Sequence, residues 1–245
     1  MTDDLLTVEL RDGVAVLEWH RPEKRNALSR RLLELIDARL EELSRDHPLT
    51  PVVLHGERYF SAGADAGEMA TDPDSYREGL GALHISIGDR LREHPAPTIA
   101  AVESFALGGG LVIAASADLV VAADDARFGL TEARVGLIGG LGAVTDLVGR
   151  LAATRLVLLG HVLSASEALG LGLVTELVPP GAALARAEEL ARSVLELNPD
   201  AWTRAKRLLR GSEPAADLRV AEADANAALI TDSAWTRERL AGFAR

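Results

Sequence analysis

A chain of 245 residues with 48% hydrophobic and 26% charged side chains can bury a sizeable core, which excludes wholesale disorder and a fibrous repeat. Its formal net charge of −11 gives no general support for nucleic-acid binding, which needs clustered Lys and Arg. The absence of cysteine rules out disulfides, thiolate nucleophiles and Cys-ligated metal.

The opening Met1-Thr-Asp-Asp-Leu-Leu is acidic where a secretory leader carries positive charge, so the expectation is a cytoplasmic protein. Leu5 to Leu10 and Val14 to Trp19 alternate around Arg11-Asp12-Gly13, which predicts a β-hairpin. His20 to Asn26 reads as a charged loop. Ser29 is a candidate N-cap for a helix whose apolar residues Leu32, Leu33, Leu35, Ile36, Leu40 and Leu43 recur at helical spacing as far as His47-Pro48. A short strand over Pro51 to Leu54 follows, then a helix opening at Asp72-Pro73 and stopping at Pro95-Ala-Pro97, then a strand over Thr98 to Val102.

The stretch from Ser104 to Ala123 approaches membrane-spanning length, but Gly108-Gly109-Gly110 and Asp118 interrupt it and the pattern changes from helix to strand. It reads as buried core, with a helix opened by the glycines and a strand over Leu119 to Ala122. Beyond Gly142 the pattern is helical apart from Leu173 to Val178, with segments at Ala182 to Leu197, Ala201 to Leu209 and Ala215 to Ala241. The whole predicts an α/β fold with mostly parallel strands, residues 1–180, and a helical region, residues 181–245, whose apolar faces suit an oligomer interface.

Two glycine-bearing turns stand out, Phe60-Ser-Ala-Gly-Ala-Asp65 and Ala106-Leu-Gly-Gly-Gly-Leu111. Each follows a strand, and the second opens a helix. Small residues there leave backbone N–H groups open to a ligand, as an oxyanion requires, although a tight turn alone would need the same residues. Neither the dinucleotide fingerprint nor the phosphate-binding loop motif is present. No His/Asp/Glu set has metal-ligand spacing, so neither metal nor resident cofactor is expected.

Six segments fall in one order: Arg21-Pro-Glu-Lys-Arg-Asn-Ala-Leu28, Phe60 to Asp65, Phe105 to Gly110, Asp125-Ala-Arg-Phe-Gly129 with Glu132, Val135-Gly-Leu-Ile138, and Ser164 to Leu169 with Gly172-Leu-Val174. Together they resemble the crotonase (enoyl-CoA hydratase/isomerase) family. The resemblance implies a ClpP/crotonase-like spiral of ββα units, C-terminal helices that build trimers or hexamers, and an acyl-CoA thioester as substrate, with coenzyme A entering only as part of that substrate. It implies oxyanion donors at Ala62 and Gly109, a catalytic carboxylate at Glu132, and a substrate surface that takes in Ala64, Asp65 and Val112. Lys24, Arg25 and Lys206 are expected to meet the CoA phosphates.

One departure bears on the reaction. Where hydratases of the family carry a second glutamate, three residues after the middle glycine, this chain has Val112. Hydration uses two proton-handling groups, whereas moving a double bond can be done by one base, so isomerisation is the favoured chemistry. A hydratase with a substitute acid and an acyl-CoA-binding pseudoenzyme remain open, and Ser61 has no identifiable partner for a hydrolytic role. His84 lies on a mostly apolar helix beside the expected acyl pocket and reads as a packed histidine. Glu103 and Ser104 stand where the family usually has Asn and Gly.

Overall fold

The computed structural model describes residues 2–71, 79–197, 199–210, 227, 230–231 and 234–242. The hairpin forms as predicted: β2 (Leu6–Arg11) and β3 (Val14–Trp19) pair antiparallel across Asp12 and Gly13, with φ of 48° and 80°. Positive φ at both positions matches the right-handed twist of the flanking strands. A short β1 (Thr2–Asp3) pairs antiparallel with β2.

From β3 onward every pairing in this sheet is parallel. The order is β1-β2-β3-β4-β5-β7-β10, adding β4 (Val52–His55), β5 (Thr98–Val102), β7 (Leu119–Ala123) and β10 (Glu176–Val178). β4 and β5 are buried at every residue. Parallel strands covered on both faces carry continuous apolar runs rather than alternation.

One covering layer is α1 (Arg30–Asp46) with α3 (Gly81–Glu93). Ser29 caps α1 by accepting from the Leu32 N–H at 3.3 Å, and the six apolar residues named from the sequence are its buried ones. The Pro95 stop holds, while the predicted opening at Asp72-Pro73 lies outside the described residues. The opposite layer is α7 (Ala183–Val194), whose Ala183, Ala187 and Ala191 pack on Val14, Val16, Val53, Ile99 and Val121. This helix is therefore a layer of the core, although it lies beyond the predicted boundary at residue 180. Glu103 ties it down: its carboxylate accepts from the Gly181 and Ala183 N–H groups, each at 3.0 Å, supplying the first turn with acceptors. Ser104 adopts φ 54°, a conformation that favours glycine.

A second sheet, β6-β8-β9, consists of three-residue strands: β6 (Phe105–Leu107), β8 (Arg127–Gly129) and β9 (Val162–Ser164). Between them lie α4 (Gly109–Ser116) and α5 (Leu141–Leu159), the latter broken at Gly149 with φ 75° and ψ 159°. α2 (Ala66–Thr71), α6 (Ala165–Gly170), α8 (Pro199–Arg210) and α9 (Ala234–Ala241) complete the described helices. The Ser104 to Ala123 stretch thus becomes β6, α4 and β7, and no described helix is long and apolar enough to cross a membrane. α9 packs against α2 and the turn following β8, where Thr236 donates to the Gly136 carbonyl at 2.9 Å. Much of the predicted helix from Ala215 to Ala241 lies outside the described residues.

His94 locks α3 to its neighbours, with Nδ1 2.9 Å from Ser44 Oγ and Nε2 3.0 Å from the Thr50 carbonyl. Burial pushes its pKa below the ordinary value, the bond to Thr50 opposing. A base whose folded pKa lies below its unfolded one adds stability that is complete above the unfolded value, about 6.5, and is lost as pH falls toward the folded one. The urea midpoint is expected to drop between about pH 7.5 and pH 5.5, and less steeply in His94→Asn. Parallel slopes in the two proteins would assign the acid sensitivity elsewhere.

Candidate active site

β6 ends at a turn in which Gly108 takes φ 52°, and α4 begins at Gly109. The Gly108 N–H is held by the Gly129 carbonyl at 2.8 Å, anchoring the turn to the end of β8. The other turn runs alongside: the Ser61 N–H donates to the Phe105 carbonyl at 3.1 Å, and the Leu107 N–H donates to the Ser61 carbonyl at 2.9 Å. Gly63 has φ 95°, and a Cβ there would sit 2.9 Å from the Leu107 carbonyl oxygen and 3.4 Å from the Gly109 nitrogen. Only a residue without a side chain lets the two turns touch.

This contact corrects the first oxyanion donor. The Ala62 N–H is already spent on the Arg25 carbonyl at 3.0 Å, and the Gly63 N–H on Ser61 Oγ at 3.0 Å. Among the described residues the Ala64 N–H has no acceptor, although Leu28 bridges to this strand segment through the flanking Gly63 and Asp65. The Gly109 N–H, in the first turn of α4, has no intrahelical acceptor. Ala64 and Gly109 therefore supply the open N–H pair, and both line one pocket.

Glu132 starts a 3-10 turn, Glu132–Val135, that follows β8 after Leu130 and Thr131, and its Oε1 lies 3.0 Å from where a Gly108 Cβ would be. Its Oε2 is buried, and the side chain lines the same pocket. Val112, one helical turn past Gly109, lines it too, with Cγ2 3.1 Å from a Cβ built on Gly140. Glu132, Ala64, Gly109 and Val112 are thus brought together. His84 and Arg92 of α3 complete the wall, Arg92 donating to Ser116 Oγ at 3.1 Å and to Asp89 Oδ1 at 2.8 Å. Sequence reading did not find Arg92, since nothing local distinguishes it from the other arginines of the chain.

Two expectations change, those for Asp65 and Lys206. Asp65 is a helix cap: Oδ1 accepts from the Gly67 and Glu68 N–H groups at 3.1 and 3.2 Å, and Oδ2 pairs with Arg21 at 3.0 Å. Lys206 is 8% exposed and its ammonium is bound by Asp118 Oδ2 at 2.7 Å and by the Leu91 and Ala96 carbonyls at 3.1 and 2.9 Å. Removing one member of such a buried pair costs about 3–5 kcal/mol, so it is a strut fastening α8 to the sheet. Ser61 is fully buried and donates to the Asn26 carbonyl at 2.8 Å, so its hydroxyl is not presented to a substrate as a nucleophile. Lys24 and Arg25 are exposed and do not line the pocket; the Arg25 carbonyl supports the oxyanion turn from behind. Elsewhere on the surface His20 lies 3.9 Å from Glu18 and 3.7 Å from Glu57, a convergence that β3 and β4 create from residues distant in sequence.

Residues 9–243 match the enoyl-CoA hydratase/isomerase family. The 2,3-dehydroadipyl-CoA hydratase of Escherichia coli is 36% identical over 215 residues, covering 86% of this chain and 84% of the relative. The short-chain-enoyl-CoA hydratase of Clostridium acetobutylicum is 35% identical over 207 residues, covering 82% and 79%. The crystal structure of an enoyl-CoA hydratase from Mycobacterium avium subsp. paratuberculosis superposes with a TM-score of 0.88 at 26% identity, over 98% of this chain and 99% of that one. The chain belongs to the enoyl-CoA hydratase/isomerase family and has its crotonase fold.

Proposed function

We propose that the protein moves the double bond of an enoyl-CoA, holding the thioester as an enolate between the Ala64 and Gly109 N–H groups while Glu132 takes a proton from one carbon and returns it two carbons away. The reading rests on one juxtaposition: two open N–H donors and, among the described residues, a single carboxylate at one pocket, with Val112 on the face of α4 where a second carboxylate would stand. One aimed donor is typically worth about 3–4 kcal/mol to an oxyanion transition state. Lys24 and Arg25, exposed on the turn behind Ala62, are the proposed contacts for the CoA phosphates. Hydration is the second reading, favoured by the names of the relatives.

The test is turnover of paired 2-enoyl- and 3-enoyl-CoA thioesters. The expected result is faster appearance of the conjugated thioester from the 3-enoyl substrate than its loss from the 2-enoyl substrate. Faster loss would favour the hydratase, and acyl-CoA binding with no turnover would favour a pseudoenzyme.

The proposal includes a homotrimer or hexamer. Leu151, Leu158 and Leu159 of α5 are 83%, 72% and 73% exposed, and Leu209 of α8 is 84% exposed, apolar surface that a second copy would cover. Most of this surface precedes residue 180, earlier than the sequence pattern suggests. Light scattering at micromolar concentration is expected to report a trimer or larger, and a monomer would overturn the assembly.

A further inference from the structure

His84 has no part in the one-base reaction, yet it is built into the pocket wall. Its Nδ1 lies 2.8 Å from the Leu80 carbonyl, and because a carbonyl only accepts, Nδ1 carries the proton and Nε2 presents a lone pair. Nε2 is buried and has no hydrogen-bond partner among the described residues. A buried polar atom that nothing meets carries the cost of its lost hydration. His94 shows the ordinary solution for a packed histidine, with both ring nitrogens bonded. Burial pushes the His84 pKa down, the Leu80 bond opposing, so the lone pair persists at neutral pH.

The direction of Nε2 gives the atom its use. It abuts Gly109, where a Cβ would overlap it and lie 3.0 Å from Cδ2. The same construction on Gly108 meets Glu132 Oε1 at 3.0 Å. Successive Cα atoms are about 3.8 Å apart. Imidazole and carboxylate therefore flank the one peptide unit whose N–H is the Gly109 oxyanion donor.

We infer that His84 is a second proton-transfer group of this pocket and gives it the capacity to add water to a 2-enoyl thioester, the task that Val112 cannot perform. The inference rests on the pocket being a thioester enolate site and supplies the residue that would handle water there. Nε2 takes a proton from water as the water oxygen bonds to the β-carbon. The electrons of the double bond move onto the thioester oxygen, held by the two N–H groups. The enolate then collapses as the α-carbon takes a proton from the Glu132 carboxylic acid. The proton on His84 returns to the Glu132 carboxylate through solvent, so water is added and both side chains are restored.

The experiment measures hydration and isomerisation in parallel on the full chain, comparing wild type with His84→Gln and His84→Ala, with melting curves for each. Hydration is expected to fall roughly 10²–10³-fold in both variants, at least about tenfold more than isomerisation falls in the same proteins. Added imidazole is expected to restore part of the hydration in His84→Ala and none in Glu132→Gln. Equal loss of both reactions, hydration that survives both variants, or a wild type that isomerises without hydrating would each overturn the role of His84. A wild type that does neither would overturn the enolate reading itself.

Discussion

Glu132→Gln is expected to lower turnover by roughly 10²–10⁴-fold while leaving the melting temperature and acyl-CoA affinity nearly unchanged. The amide keeps the volume and much of the hydrogen bonding of the carboxylate but has no useful proton affinity, so only the step that moves a proton is lost. The loss belongs to kcat rather than KM, because the open N–H groups of Ala64 and Gly109 and the walls from α3 and α4 are untouched. Their survival predicts a variant that still binds substrate and polarises the thioester. Wild-type turnover in Glu132→Gln would transfer the role of base to another group, with His84 the nearest alternative in the same wall.

The elements that were legible in the sequence are those whose signal is local. The Ser29 cap and the six buried positions of α1 follow from helical periodicity, and the Asp12-Gly13 turn follows from the strand alternation around it. The second sheet was not legible because β6, β8 and β9 are three residues each, too short to display a period of two. Its role is nonetheless large, since β6 and β8 set Gly109 and Glu132 on the same pocket.

At the site, the motif order marked both turns and Glu132, but it did not reveal which N–H was already used. That depends on the Arg25 carbonyl, presented to Ala62 from a left-handed backbone at φ 52° in a loop distant in sequence. Lys206 reads differently in the structure for a related reason: a lysine in an acidic chain looks like an anion contact until the fold brings Asp118, just before β7, to its ammonium. His84 reads from sequence as one polar residue on an apolar helix. Its meaning comes from the absence of a side chain on Gly109, a contact between α3 and α4 that no local pattern encodes.

Val112→Glu is expected to raise hydration of 2-enoyl-CoA by about 10²-fold, within the usual range for a positioned acid or base. Val112 and Gly109 are i and i+3 on α4 and both line the pocket, so a longer side chain at this position extends toward the substrate rather than into the core. The new carboxylate would share the pocket with Glu132. Two like charges in a largely apolar wall cannot both ionise at the usual carboxylate pKa, so one is raised toward the neutral range, where it can serve as an acid while its neighbour acts as a base. The same repulsion and burial carry a cost, and a lower melting temperature is expected alongside the gain. The double variant His84→Ala/Val112→Glu separates the contributions. If the carboxylate supplants the imidazole, hydration in the double variant matches that of Val112→Glu alone. A Val112→Glu protein that folds, binds acyl-CoA and hydrates no faster than wild type would mean that this face of α4 does not meet the β-carbon, and the one-base account of the wild-type pocket would lose its main support.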